Sequence, residues 1–401
     1  MSDTILKNKR VYIDYNATTP LAPQVKEAMI EDMELFGNAS SLHASGRLAR
    51  SRIEEARVKV GKLAGVGAET IIFTSGGSES NNTVFQTMRR IASKPDGSPL
   101  ANGRNEFITT AIEHPCVLNS AMHLAGLGFR VTFLPVDEYG RVKINDLENA
   151  LSSRTLFVSV MMANNEIGTV QDIKEISRLA KAAGAWVHSD ATQAAGKIPL
   201  DANDLGLDYL TMSAHKIYGP KGIGALYVRK GAPLYPLIHG GHQEDGKRAG
   251  TYNNLGILGF GKAAELALRN VEKYGREISA LRDRLREGLK AIPNIKFNGH
   301  PQDTLPNTLN VSFPGAEGEA ILLSMDIEGI EASTGSACAS GSLEPSHVLL
   351  AIGVGPELAH GSIRFSLGWG NTPEDIDYII ETLPPIIKRL RAMSTVRSDD
   401  L

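Results

Sequence analysis

Seven short apolar runs, separated by stretches with helical spacing, are the feature that most restricts what this 401-residue chain can fold into. The runs fall at residues 71–74, 106–109, 130–135, 156–161, 185–189, 209–212 and 224–228. Between them apolar side chains recur at intervals of three and four, as in Ile53, Ala56, Val60 and Leu63, and in Ile173, Ile176, Leu179, Ala180 and Ala183. Continuous rather than alternating apolar strands imply burial on both faces. The pattern therefore predicts an α/β fold with a mostly parallel seven-stranded sheet clad by helices. From about Gly259 the rhythm changes to a helix over 261–292, strands over 309–313 and 363–365, and a last helix over 373–393. This predicts a smaller α+β domain (1–15 and 259–401) beside a large domain at 16–258. Residues 94–104 read as a surface connection, and the tail beyond Met393 as frayed.

Composition narrows the class of function. With 42 basic and 45 acidic residues the net charge is −3, which gives no footprint for a polyanion, so no nucleic-acid partner is expected. No run of about 18 apolar residues is present to span a bilayer. Two cysteines, Cys116 and Cys338, cannot build a disulfide framework. The expectation is a cytoplasmic protein without a membrane partner.

Ligands of open α/β sheets bind beyond the carboxyl ends of the strands. Five successive runs end in polar, ionisable residues: SGGSESN, EHP, NNE, DATQ and SAHK. In the first, glycines joining a strand to a helix allow close approach of backbone amides to an anion at the helix N-terminus, although an ordinary helix cap has the same look. Asp190 and Lys216 end two neighbouring runs. They suit a structural ion pair, and they also suit pyridoxal phosphate, which needs a Schiff-base lysine and an acid facing its pyridinium nitrogen. The anion cradle favours the second reading. Lys221 competes with Lys216 but sits in the turn Gly219-Pro220-Lys221-Gly222. His114 ends its run where a ring could stack on a cofactor.

Other motifs read more plainly. The stretch Gly256-Ile257-Leu258-Gly259-Phe260-Gly261-Lys262-Ala263 is close to a phosphate-binding loop, but it lacks the Ser/Thr and a preceding strand. It reads as part of the long helix. His239 and His242 stand in a glycine loop with no metal-ligand spacing. Cys338 lies in STGSACASGS, a stretch too poor in bulky side chains to bury a thiol, which suits a nucleophile that has to move. Cys116 reads as a small core residue.

Taken together, YIDYNATTP, FGNASSLH, SGGSESNN, EHPCV, ANNEIG, HSDATQAAGKIP, SAHKIYGPKGIG, GGHQEDGKRAGT, SGSLEPSHV and HGSIRFSLG resemble the NifS/IscS-type cysteine desulfurases. These are pyridoxal-phosphate enzymes of the class V aminotransferase group, of fold type I. The resemblance implies that Lys216 holds the cofactor as a Schiff base and moves a proton. It implies that Asp190 pairs with the ring nitrogen and that His114 stacks on the ring. Gln193 and Asn165 would contact the phenolic oxygen or the substrate. Gly77, Ser78, Ser213 and His215 would hold the phosphate, with Thr251 reaching in from a second subunit of a homodimer. Arg364 would clamp the carboxylate of L-cysteine, for which a planar guanidinium is suited. Cys338 would take the sulfur as a persulfide, leaving alanine, and pass it to an iron–sulfur scaffold or another acceptor protein. No resident metal is implied, with Cys338 alone a candidate for transient ligation of a cluster. Ala214 stands where the family usually has Gly, and Asp245 where Arg is common. Two rivals are a selenocysteine lyase and a non-catalytic persulfide-carrying scaffold.

Overall fold

The computed structural model describes residues 10–101, 103–334 and 344–394. Its strands are β1 (Val11–Tyr12), β2 (Ile71–Thr74), β3 (Glu106–Thr110), β4 (Arg130–Leu134), β5 (Thr155–Ser159) and β6 (Trp186–Asp190). They continue with β7 (Tyr209–Ser213), β8 (Gly224–Val228), β9 (Lys296–Asn298), β10 (Thr308–Ser312), β11 (Ile330–Glu331) and β12 (Ser362–Ser366). Seven of them form one sheet in the order β2-β8-β7-β6-β5-β3-β4. Only β8 runs against its neighbours β2 and β7; the other pairings are parallel. The mostly parallel seven-stranded sheet is thus present, and each apolar run lies on one of its strands. Strands β2, β3, β5, β7 and β8 are buried at every residue, as their unbroken apolar character requires. Strand β4, at the edge, is mostly uncovered and tolerates Arg130.

This topology brings the carboxyl ends of β2, β3, β5, β6 and β7 to one edge of the sheet. There the polar strand-end motifs gather. Gly76 has φ 156°, a backbone setting that favours glycine, and leads straight into the helix Gly77–Ile91. A side chain at Gly224, where β8 begins, would lie 2.7 Å from Gly76 Cα, so both glycines are needed for the turn to sit against the sheet.

A second sheet, antiparallel, has the order β12-β10-β9, and β1 pairs with β11 beside it. Its core contains Val11, Ile13, Leu309, Val311, Ile363, Phe365 and the inner face of the helix Pro373–Met393. The helix Asn254–Leu289 serves both cores. Ile257, Phe260 and Ala264 join the first, and Tyr274, Ile278, Leu285 and Leu289 the second. At 36 residues it is about 54 Å long, enough to run past both sheets. It starts before the expected residue 261 because its glycines, which look like breaks, are contacts. A Cβ at Gly261 would stand 2.6 Å from Ala56 Cβ on the helix Ala44–Leu63, and one at Gly259 would stand 2.8 Å from Met29 Sδ. The near-phosphate-loop sequence is therefore a helix-packing surface. Val348, Leu349, Ile352, Val354 and Ala359, late in the chain, pack into the first core. Among the described residues, no helix is long and apolar enough to cross a membrane.

Candidate active site

Lys216 is delivered by the end of β7 through the single turn Ala214–Lys216. Its Nζ donates to the backbone carbonyls of Asn16 at 2.5 Å and Ala17 at 2.8 Å. These two carbonyl acceptors orient the amine. Lys221, in contrast, is exposed. Asp190 ends β6 and is buried. Its Oδ2 accepts from Asn81 Nδ2 at 2.7 Å and its Oδ1 from the Thr192 N–H at 2.9 Å. Both of these donors are neutral.

His114 ends the β3 connection and caps the helix Pro115–Gly126, its Nδ1 accepting from the Cys116 N–H at 3.2 Å. Burial lowers its pKa, opposed by Asp190 and assisted by Lys216 and His347. Those electrostatic neighbours place His114, Asp190 and Lys216 around one space. His215 is likewise pushed down to about 4 by burial, then by Lys216 and Lys221. Its Nδ1 lies 3.2 Å from Thr18 Oγ1.

Asn16 joins the remaining parts. Its carbonyl accepts from Lys216 Nζ and from Gln193 Nε2, the latter at 2.9 Å. Its Nδ2 donates to the Asn165 carbonyl at 3.1 Å, and its Oδ1 accepts from Lys197 Nζ at 3.0 Å. Arg364 on β12 donates from Nη1 to the same Asn165 carbonyl at 3.1 Å, and from Nη2 to Asp14 at 2.7 Å. It is 2 % exposed, and its Nε is buried with no partner among the described residues. A buried guanidinium N–H is a strong donor and is costly to leave unpaired.

Of the residues expected to cradle an anion, Gly77 and Ser78 stand in the first turn of their helix and Ser213 is buried at the end of β7. First-turn N–H groups have no helical partners. A Cβ at Gly77 would lie 3.1 Å from Thr192 Oγ1, a hydroxyl that is buried and unpartnered among the described residues. Arg248 ties the following loop to this helix through Glu79, at 2.9 and 3.2 Å. Thr251 is exposed in this single chain and is not joined to the other site residues. Cys338 lies outside the described residues. The segment after them is fixed on both sides of the site. Ser346 Oγ is 2.5 Å from Glu166 Oε2, and His347 Nε2 is 3.0 Å from the Glu113 carbonyl.

Cys116 packs against a core, as the sequence suggests, and also borders the site. It is only half-buried and belongs to the site's wall, its Sγ 3.0 Å from His114 Nδ1 and 3.1 Å from Asn81 Nδ2. The core it packs against contains Val84, Val117, Ala121 and Phe157. Burial, then Asp190, pushes its thiol up to about 12, so at neutral pH it is no thiolate. Asn16, Asn81, Lys197 and Asp14 were missed as site residues, although all four stand inside the quoted motifs. Among the described residues no group of three or more His, Cys, Asp or Glu is placed to hold a metal.

Fold and site together define a type I transferase architecture with a lysine, an acid and an arginine at one sheet edge. The aminotransferase class V family model matches residues 11–379. The chain is 50% identical over 393 residues to the cysteine desulfurase IscS of Dictyoglomus turgidum, covering 98% of each. It is 49% identical to that of Methanosarcina thermophila, over 97% of this chain and 94% of the relative. A solved NifS-like protein from Rickettsia africae matches with TM-score 0.85 at 36% identity, over 95% of this chain and 100% of the other. The chain belongs to the class V aminotransferase family and, within it, to the IscS/NifS-type cysteine desulfurases.

Proposed function

We propose that this enzyme is a pyridoxal-phosphate-dependent cysteine desulfurase that supplies sulfur for iron–sulfur cluster assembly. The observation that carries the reading is the buried Arg364 guanidinium, whose Nε has no partner among the described residues and whose Nη1 is joined through Asn165 and Asn16 to Lys216. The donor set fits the cofactor: helix N-terminal amides at Gly77 and Ser78, a Thr192 hydroxyl without a partner among the described residues, a buried Asp190 held by neutral donors and an oriented lysine. Pyridoxal phosphate, when bound, supplies an electron sink for bond cleavage at the amino acid's carbons.

The chain's residues divide the remaining work. Lys216 holds the cofactor and moves a proton, its amine turned by the two carbonyls. Asp190 would pair with the ring nitrogen, His114 would cover the ring, and Gln193 would meet its phenolic oxygen. Gly77, Ser78, Ser213 and His215 take the phosphate, completed by Thr251 of the partner subunit. Arg364 takes the carboxylate of L-cysteine through parallel N–H donors, with Asn165 beside it. Cys338 takes the sulfur: the substrate C–S bond breaks and an S–S bond forms. L-cysteine and the Cys338 thiol become L-alanine and a Cys338 persulfide, with the displaced proton delivered to alanine.

We further propose a large domain at residues 16–258, a small one at 1–15 and 259–401, and a cytoplasmic homodimer. Met33, Phe36, Leu42 and Leu48 support the dimer; they are 63, 85, 89 and 57 % exposed around the FGNASSLH segment, an apolar surface that a second copy would cover. The test is turnover of L-cysteine in the presence of a thiol reductant. Alanine and sulfide should appear in equal amounts, and Lys216→Ala should lose both activity and visible absorption. Arg364→Lys keeps the charge but not the fork, so KM should rise roughly tenfold or more. An unchanged KM would remove Arg364 from substrate binding.

A further inference from the structure

Lys197 is buried to 3 % exposure, yet its Nζ meets two amide oxygens rather than a carboxylate: Asn16 Oδ1 at 3.0 Å and Gln193 Oε1 at 2.7 Å. An unneutralised buried lysine is costly, so a fold that places one there calls for a reason. Burial, then Lys216 and Arg364, holds its pKa well below the ordinary lysine range. A neutral amine carries two N–H bonds, one for each of these oxygens.

The consequence falls on Gln193. A side-chain amide can turn end for end at little steric cost, because its oxygen and nitrogen are nearly the same size. Its sense is set by its partners. The Asn16 carbonyl can only accept, and it takes one hydrogen of Gln193 Nε2 at 2.9 Å. Lys197 supplies a donor to the other end. The amide is thereby locked with one Nε2 hydrogen left over. Lys197 also grips Asn16, the residue whose carbonyl receives Lys216.

We propose that Lys197 is a positioning residue: it fixes the Gln193 amide so that a free N–H serves bound cofactor, and it fixes the Asn16 segment that orients Lys216. The inference rests on the pyridoxal-phosphate reading above. The test is a double-mutant cycle on the holoenzyme, read as the pH midpoint at which the visible absorption of bound cofactor changes. Lys197→Met should move the midpoint by about half a unit or more, and in a Gln193→Ala background this shift should vanish. Lys197→Gln keeps an uncharged N–H donor and should stay close to wild type. A packing role alone would tolerate Met and leave the midpoint unmoved. Equal shifts in both backgrounds, or no shift in a folded Lys197→Met, overturn the inference. So does a displacement of about half a unit or more by Lys197→Gln in both backgrounds, which keeps the test decisive should Lys197→Met not fold. A wild type without a visible band overturns the cofactor reading and this inference together; a normal band with equal shifts overturns the inference alone.

Discussion

Glu113 shows how one buried side chain can report on the whole site. Its Oε1 accepts from the Met161 N–H and from Thr110 Oγ1, both at 2.8 Å, while Oε2 has no partner among the described residues. Burial, with Asp190 adding to it, pushes the carboxyl from 4.5 up to about 8, against the pull of the Met161 and Thr110 donors. The folded chain therefore keeps a proton that the unfolded chain releases. The stability this proton contributes is full below about 4.5 and is lost as pH rises through about 8. Glu113→Gln cannot titrate. Denaturant unfolding at roughly pH 5 and pH 8 should show the wild type losing more stability between them than Glu113→Gln does. Equal losses would mean that Glu113 is ionised in the native protein.

The residues that end strands could be read from sequence, because a polar group after a buried apolar run has few places to go. Asp190, Lys216 and His114 are of that kind. Asn16 and Lys197 were quoted in motifs without a role, since their meaning lies largely in distant partners: Lys197 reaches Asn16, 181 positions away, and the Asn16 N–H donates to Ser366 Oγ, 350 positions away. No local periodicity encodes such a hub. The same limit applies to Cys116, which packs against a core as its neighbour Val117 suggests, while its contact with the capping His114 shows only in the fold.

At the scale of elements, strand legibility followed length. The five-residue strands of the large sheet were evident, whereas β1, β9 and β11, of two or three residues, are too short to show a period and exist because neighbours pair with them. The helix Asn254–Leu289 makes a sharper case. Its glycines differ in purpose: a Cβ at Gly261 collides with Ala56, whereas one at Gly275 meets nothing within 4 Å. Gly261→Ala should destabilise by about 1–3 kcal/mol through overpacking against the helix Ala44–Leu63. Gly275→Ala should stabilise by about 0.4–1 kcal/mol, since it only restricts the unfolded chain. Chemical denaturation of the two variants checks both signs. Two equal effects would contradict the close helix–helix contact.

At the scale of the whole molecule, the exposed apolar surface around Phe36 and Leu42 and the exposed Thr251 have one account in common, a second copy of the chain. Sedimentation should show a dimer for the wild type. Leu42→Asp should shift it toward monomer and weaken cofactor retention with it, because Thr251 would no longer complete the partner's phosphate site. A monomeric wild type with full activity would sink this arrangement.

The central claim is that sulfur leaves L-cysteine onto Cys338 and nowhere else in the enzyme. Cys116 provides an internal control: it lines the site, but burial holds its thiol up to about 12. Mass spectrometry of peptides from protein treated with L-cysteine measures the claim directly. The account predicts one added sulfur on the peptide containing Cys338, none on that containing Cys116, and no sulfide release by Cys338→Ala. Sulfur on the Cys116 peptide, or full sulfide release from L-cysteine by Cys338→Ala, would contradict it.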